Sequence, residues 1–259
     1  MTIDAGAGHV RRAGLVKVPQ VTALFWIIKV LTTGMGETAS DFLAHALAPP
    51  VAVGIGAAGL AAGLAAQFTA VRYRTGVYWF AVVMVSVFGT MAADVLHVGF
   101  GIPYAVSSVV FAVALAAILG LWYRTEGTLS IHTVTAGRRE VFYWATVLAT
   151  FALGTAAGDL TAATFGWGYL GSGLIFAAAI TMPAVTFRSG WLGPIAAFWS
   201  AYVITRPLGA SFADWMGVST ARGGLGLGTG TVTAAWAAVI VALVGFLAYI
   251  SADHAPLAR

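Results

Sequence analysis

Residues 25–41 read FWIIKVLTTGMGETASD, and this stretch decides the fold because its pattern recurs three more times. The other copies are YWFAVVMVSVFGTMAAD at 78–94, YWATVLATFALGTAAGD at 143–159 and FWSAYVITRPLGASFAD at 198–214. Each copy has an aromatic residue followed by Trp, a Gly ten residues after the Trp, and an Asp five residues after the Gly. Four matches in register, in a chain with only nine Trp, indicate an internal repeat.

The repeated positions fall into three sets. The tryptophans are Trp26, Trp79, Trp144 and Trp199. The glycines are Gly36, Gly89, Gly154 and Gly209. The aspartates are Asp41, Asp94, Asp159 and Asp214.

The composition is that of an integral membrane protein. Of 259 residues, 60% are hydrophobic and only 8% are charged, and the mean hydropathy is +0.91. The N-tail is too polar to contain the apolar region of a cleavable signal peptide, so we expect the first apolar segment to remain as a transmembrane helix. The chain has no Cys, which excludes disulfides and thiolate metal sites.

Eight apolar runs are long enough to cross a bilayer as α-helices. They are predicted near 19–46, 50–72, 77–98, 103–124, 140–163, 168–187, 191–215 and 229–252. We therefore expect an all-α integral membrane protein with one transmembrane domain over 18–252. Its repeats are expected at about 18–75, 76–125, 140–189 and 191–252, between an N-tail of residues 1–17 and a C-tail of residues 253–259.

The basic residues between these runs are distributed asymmetrically. Ten fall on one side: Arg11, Arg12, Lys17, Arg72, Arg74, Arg124, Arg138, Arg139, Arg188 and Arg259. Only Arg222 falls on the other side. The positive-inside rule then places both termini of this multi-pass protein in the cytoplasm. Because the net charge of +4 is explained by this topology, we expect the bilayer as a partner and no nucleic acid.

Four tandem two-helix repeats, each with a fixed Trp, resemble a family of bacterial inner-membrane proteins catalogued as a repeat of unknown function. The resemblance covers the chain from about residue 18 to residue 252, and the spacing from Trp to Gly to Asp is specific. It implies the four-repeat organisation but no substrate.

Repeats of two helices each share one orientation, so they are related by a pseudo-symmetry axis along the membrane normal. The fifteen residues from Trp to Asp span about 22 Å of helix. We therefore expect the tryptophans as anchors at the cytoplasmic interface and the aspartates at one depth in the outer half, facing inward. The glycines are expected at close helix contacts.

The ionisable residues within the spans carry excess negative charge. Five are acidic, namely Glu37 and the four repeated Asp, and two are basic, Lys29 and Arg206. An interior of low dielectric does not hold this excess uncompensated, so protons or cations must neutralise it. The first repeat adds Glu37 to the common Asp, and we expect this to deepen a cation site.

Helical spacing suggests which groups interact. Lys29, Glu37 and Asp41 recur at intervals of four or eight residues along one face of the first helix. Arg206 and Asp214 are related in the same way on the seventh helix, so the partner of Arg206 is expected to be Glu37 or Asp214. Lys29 and Arg206 are assigned either to structural ion pairs or to coupling.

Two histidines, His45 and His97, follow Asp41 and Asp94 by four and three residues. Both spacings allow imidazole and carboxylate to meet at one metal. The candidate metal set is therefore Glu37, Asp41, Asp94, Asp159, Asp214, His45 and His97. An interfacial role for the histidines, and interhelical hydrogen bonds for the aspartates, remain as the structural alternatives.

The leading hypothesis is a secondary transporter that exports a divalent, Mn²⁺-like cation in exchange for protons, since oxygen ligands without sulfur favour hard cations. The alternatives are a proton-driven exporter of a small organic molecule and a membrane protein that binds a cofactor without transport. The motifs HExxH, GxSxG, CxxC and the P-loop are absent. We expect no enzyme, no catalytic residues and no tightly bound cofactor; the metal ion would be the substrate, and the oligomeric state is left open.

Overall fold

The computed structural model describes residues 16–253, and within them every regular element is helical. In this part of the chain the helices are α1 (Ala23–Ala46), α2 (Pro49–Thr69), α3 (Thr75–Asp94), α4 (Tyr104–Glu126), α5 (Arg138–Asp159), α6 (Gly168–Ala179), α7 (Thr181–Arg188), α8 (Pro194–Gly217) and α9 (Thr229–Asp253). Because only Ile180 separates α6 from α7, they form one interrupted segment. The eight segments coincide with the eight predicted runs to within a few residues. The tail residues Arg11, Arg12 and Arg259 lie outside the described range.

Six of these segments are long and apolar enough to cross a membrane: α2, α3, α4, α5, α6–α7 and α9. The helical membrane protein expected from composition is thereby confirmed. The other two, α1 and α8, have 24 residues each and contain the charged residues Lys29, Glu37, Asp41, Arg206 and Asp214.

Local sequence explains where several helices begin and end. The Thr22 hydroxyl accepts a hydrogen bond from the backbone N–H of Phe25, at 3.2 Å, and so caps α1. Helix α2 begins at Pro49, which needs no hydrogen-bond acceptor for its nitrogen. Pro183 cannot donate to the carbonyl of Ala179, which explains the interruption between α6 and α7.

The first helices of the four repeats, α1, α3, α5 and α8, contact one another in a closed ring. We call them the inner helices. Each peripheral segment packs mainly on the inner helix of the following repeat: α2 on α3, α4 on α5, α6 on α8, and α9 on α1. The last repeat thus packs against the first, and the hydrophobic core lies where the inner helices meet.

The repeated glycines lie where neighbouring inner helices approach most closely. A Cβ atom added at each one would overlap the residue that stands seven positions after the Trp of the next repeat. The pairs are Gly36 with Ser86, Gly89 with Phe151, Gly154 with Arg206, and Gly209 with Thr33. The predicted role of these glycines in close helix contact is confirmed.

Candidate functional site

A buried ion pair between Arg206 of α8 and Glu37 of α1 lies at the centre of the inner helices. Nη2 of Arg206 is 2.9 Å from Oε2 of Glu37. The arginine side chain is fully buried and the glutamate side chain is 5% exposed. Of the two predicted partners of Arg206, the structure selects Glu37, which joins the first repeat to the fourth.

Two threonines on the remaining inner helices complete this network. The hydroxyls of Thr90 on α3 and Thr155 on α5 donate to Oε2 of Glu37, at 3.2 and 3.1 Å. Both hydroxyls also accept hydrogen bonds from Nη2 of Arg206. All four repeats therefore contribute one side chain to a single polar centre.

The remaining donors of Arg206 are satisfied by main-chain oxygens of neighbouring inner helices. Nε donates to the carbonyl of Phe151, at 3.3 Å, and Nη1 donates to the carbonyl of Thr33. The glutamate is less completely bonded, since every hydrogen bond goes to Oε2. Among the described residues none donates to Oε1.

The repeat pattern explains why these particular residues meet. Glu37, Thr90 and Thr155 each stand eleven residues after the Trp of their repeat, and the fourth repeat has Ala210 there. In the fourth repeat the polar group comes from Arg206, one helical turn earlier. The first repeat thus replaces a hydroxyl with a carboxylate, and the fourth supplies its counter-ion.

Lys29 is fully buried, and of its two predicted roles, an ion pair or coupling, the described residues do not supply the ion pair. Its Nζ lies 4.1 Å from the ring centroid of Phe151 and 4.3 Å from that of Tyr202. Within residues 16–253 this nitrogen has no hydrogen-bond partner. Cation–π contacts stabilise an ammonium group by about 2 kcal/mol or more when desolvated. They replace the predicted carboxylate partner, which lies two turns away on the same helix.

The four repeated Asp lie one helical turn beyond the polar centre, toward the C-terminal ends of the inner helices. Asp214 is 6% exposed, and the other three are half-buried. Asp94 is within electrostatic range of Glu37, Asp159 and Asp41, and Asp214 is within range of the same carboxylates. Asp94 and Asp159 are each followed by a π-helical turn, a departure from regular helix that often marks functional sites.

The predicted metal ligands do not form a compact coordination site. Among residues 16–253, no group of three His, Asp or Glu side chains is close enough to hold a metal ion. Nδ1 of His45 lies 2.7 Å from the carbonyl of Asp41, and Nδ1 of His97 lies 2.8 Å from the carbonyl of Ile102. The ring of His97 also stacks on Tyr104. A metal-binding role for the carboxylates and histidines stays a prediction.

Arg222 lies in the connection between α8 and α9, near the aspartates. Its Nη2 donates to the hydroxyl of Tyr169, at 2.9 Å, and this bond raises the pKa of the arginine. The guanidinium is exposed and lies within electrostatic range of Asp41 and Asp214. It partly offsets the negative charge of the carboxylates.

Three of the four tryptophans pack inside the bundle rather than on its outer surface, which corrects their interpretation as membrane-surface anchors; Trp26 is partly exposed. Trp79, Trp144 and Trp199 are only 1%, 3% and 6% exposed. Each contacts the aromatic residue before the Trp of the preceding repeat. These contacts, with their centroid separations, are Phe25–Trp79 at 5.7 Å, Tyr78–Trp144 at 5.6 Å, Tyr143–Trp199 at 6.2 Å and Phe198–Trp26 at 5.6 Å. We call these eight residues the aromatic layer; it joins the N-terminal ends of the inner helices.

A second buried ion pair was missed by the sequence interpretation. Nζ of Lys17 lies 2.6 Å from Oε2 of Glu140, and both side chains are almost fully buried. Nε2 of Gln67 donates to Oε1 of Glu140, at 3.1 Å. The one available signal was the position of Glu140 in the first turn of α5, four residues before Trp144, where carboxylates favour the helix dipole.

Six membrane-length segments, four tandem repeats and a polar centre built from every repeat define a multi-pass helical membrane protein of tandem-repeat construction. The chain belongs to the family described as Repeat of Unknown Function (DUF347), whose model matches residues 24–74, 77–128, 142–188 and 197–252. The resemblance inferred from the Trp, Gly and Asp spacing is confirmed. No curated protein and no solved structure matches the chain.

Proposed function

We propose that the protein is a secondary transporter that exchanges a cation for protons at the carboxylates within the inner helices. The observation that carries this proposal is the network around Glu37. One of its oxygens is bonded to all three other repeats, while the other accepts no hydrogen bond from the described residues. Protonation or cation binding at Oε1 would weaken the attraction to Arg206. Occupancy of the site would thereby be coupled to the packing of all four repeats.

The proposal includes eight membrane crossings, with both termini in the cytoplasm of a bacterial cell. The placement of Lys and Arg supports it. Helices α1 and α8 would cross because their charged residues are buried against other helices rather than facing lipid. Reporter fusions after residues 130 and 190 are expected in the cytoplasm, and a fusion at 222 outside. The reverse result at all three positions would refute this orientation.

A pseudo-symmetry axis along the membrane normal is part of the same proposal. It is supported by three sets of contacts that each pass from one repeat to the next and return from the fourth to the first: peripheral helix on inner helix, glycine on its neighbour, and aromatic residue on Trp. Along such an axis, the aromatic layer, Lys29, the Arg206–Glu37 pair and the four Asp would follow one another in that order.

The substrate we propose is a divalent cation of the Mn²⁺ class, exported against protons. Carboxylate oxygens favour hard cations, and the same carboxylates bind protons when the cation leaves. Because the carboxylates are too widely spaced for three to coordinate one bare ion, the ion would keep part of its water shell, as Mg²⁺ commonly does in proteins.

Flux measurements on the purified protein in liposomes test this function. With a pH gradient imposed, Mn²⁺, Mg²⁺ and Ca²⁺ are supplied in turn and counter-movement of protons is recorded. Flux is expected for at least one of these cations, and the Asp94→Asn variant should lose it. Glu126→Gln is the matched control, since Glu126 pairs with Arg138 and Arg139 outside the site. Proton movement that is independent of every cation would refute the proposal.

An apolar cavity favours export of a small organic molecule as the second candidate. Its volume is about 600 Å³, and it lies between α1, α7 and α8 with Trp26, Phe187 and Phe198 among its lining residues. Such a volume is typical of small-molecule sites. Proton-coupled efflux of a hydrophobic cation, with no response to metal ions, would favour this candidate over the first.

A further inference from the structure

The two segments that lie outside the matched repeats meet at one end of the inner helices. Residues 16–19 precede the first match, and the connection 127–137 lies almost entirely between the second and third matches. The backbone N–H of Lys17 donates to the carbonyl of Val134, at 2.9 Å. Val18, Ile131 and Val134 are buried. We call these two segments together the strap.

The strap covers the aromatic layer. Val18, Ile131 and Val134 belong to the same buried cluster as Tyr78 and the other layer residues. Nε1 of Trp199 donates to the carbonyl of Leu129, at 3.0 Å, so the strap is also fastened to the fourth repeat. It therefore closes the end of the inner helices opposite the four Asp.

One ion pair holds the strap to the body of the protein. Lys17 reaches Glu140 at the start of α5, and its Nζ also donates to the carbonyl of Phe68 at the end of α2, at 3.2 Å. Gln67 donates to the other oxygen of Glu140. Burial of two charges costs solvation free energy, which both recover when water reaches them. Such a pair is well suited to a contact that opens and closes.

Space for movement lies directly beside the strap. The apolar cavity of about 600 Å³ is lined on one side by Leu129, Ser130, Ile131 and His132. Its other walls include α7, which is separated from α6 by the interruption at Ile180. The connection 127–137 is thus packed against the aromatic layer on one side and unpacked on the other.

We propose that the strap is a gate that closes the axial pathway at the end opposite the aspartates, and that it opens when Lys17 and Glu140 separate. This inference rests on the proposed transport function for its purpose, but its test does not. The aspartates then face one side of the membrane while the strap blocks the other, as alternating access requires.

Thiol labelling tests the gate without any measurement of transport. The natural chain has no Cys, so Val82→Cys places a single thiol at a fully buried position, one turn beyond Trp79. In inverted vesicles, a membrane-impermeant maleimide is expected to label it slowly. Adding Lys17→Gln leaves Glu140 as an unpaired buried charge and should speed labelling about tenfold, a shift of about 1.4 kcal/mol in the opening equilibrium, whereas Lys17→Gln with Glu140→Gln should restore slow labelling. The matched control is Arg138→Gln, which removes one member of an exposed ion pair beside the same connection and leaves the hydrogen bond from Arg139 to the carbonyl of Thr133 in place.

A reversible covalent lock provides the second test. Lys17→Cys with Val134→Cys places two thiols where the segments already share a backbone hydrogen bond, and Glu140→Gln in the same protein avoids leaving Glu140 as an unpaired buried charge. Oxidation should abolish cation flux, and a reductant should restore it, while stabilisation of the purified protein by the cation is unchanged. Unchanged labelling in the Lys17→Gln protein, or full flux in the oxidised protein, would overturn the gate. If the natural protein moves no substrate, the transport proposal fails and labelling alone decides the gate.

Discussion

Arg206 and Glu37 are 169 residues apart in the chain, and their side chains meet at 2.9 Å in the centre of the four inner helices. The pair joins the fourth repeat to the first, at the contact that closes the ring. Burial of both charges is costly, and an apolar replacement of a buried pair is often as stable or more stable. Its retention inside an apolar bundle is therefore better explained by function than by stability.

Removal of one member of this pair should destabilise the protein more than removal of both. Glu37→Gln leaves the buried guanidinium without its carboxylate, and a loss on the order of 3 to 5 kcal/mol is expected. Glu37→Gln combined with Arg206→Met should recover most of that loss. Thermal unfolding of the purified variants checks this order, with Glu126→Gln as the surface control. A single variant as stable as the double variant would contradict the interpretation.

Replacement of an aspartate should raise the stability of the empty protein, whereas replacement of Glu37 lowers it. Asp94→Asn and Asp159→Asn each remove repulsion within the carboxylate cluster, so the empty protein should become more stable. Each also removes a cation ligand, so stabilisation by the cation should shrink. A ligand at 100 times its dissociation constant stabilises by about 2.7 kcal/mol, which a melting curve resolves.

Asp214→Asn is expected to behave like these two variants, because Arg206 pairs with Glu37 rather than with Asp214. If all three substitutions lower the melting temperature of the empty protein and leave the response to cations unchanged, the aspartates are structural hydrogen-bonding groups. The transport proposal would then lose its proposed binding site.

The sequence predicted the parts of the structure that depend on periodicity. Helix positions followed from apolar runs, and the glycine contacts followed from the spacing after each Trp. Burial of the tryptophans was not predictable in the same way, because the interface and the inside of a bundle both suit an aromatic ring at a helix end. Part of the network around Glu37 could have been predicted, because Thr90 and Thr155 occupy the position of Glu37 in their own repeats. Lys17 and Glu140 both lie just outside the matched repeats, so nothing in the repeat pattern indicated their pairing.

A methyl group at a repeated glycine should disturb the ring. In Gly89→Ala the new Cβ would lie 2.6 Å from Cβ of Phe151, an atom that cannot move without its backbone. Overpacking of this kind costs about 1 to 3 kcal/mol. Gly120→Ala on α4 is the matched control, since no atom lies within 4 Å of its added Cβ, and it should stabilise the helix by about 0.5 to 1 kcal/mol. Equal melting temperatures for the two variants would show that the inner helices do not depend on this close approach.

Replacement of the two fully buried lysines, Lys17 and Lys29, should change the free energy of unfolding in opposite directions. Lys17 has a carboxylate partner, whereas Nζ of Lys29 has no hydrogen-bond partner among the described residues. Lys17→Met should leave Glu140 as an unpaired buried charge and lower the free energy of unfolding by about 3 to 5 kcal/mol. Lys29→Met removes an ammonium whose burial costs several kcal/mol. The cation–π contacts that it loses return about 2 kcal/mol, less than the cost of burying an ammonium without a carboxylate, so the free energy of unfolding should rise.

If Lys29→Met makes the protein more stable, the role of Lys29 is functional rather than stabilising. Its place between the aromatic layer and the Arg206–Glu37 pair suits a positive charge that keeps cations from passing directly to the strap. Lys29→Met should therefore still bind the cation but allow cation flux without the counter-movement of protons, while Lys29→Arg should keep the two movements coupled. Unfolding measurements and liposome fluxes on the same preparations check both expectations. A Lys29→Met protein that unfolds as readily as Lys17→Met, with coupling intact, would assign Lys29 to packing alone.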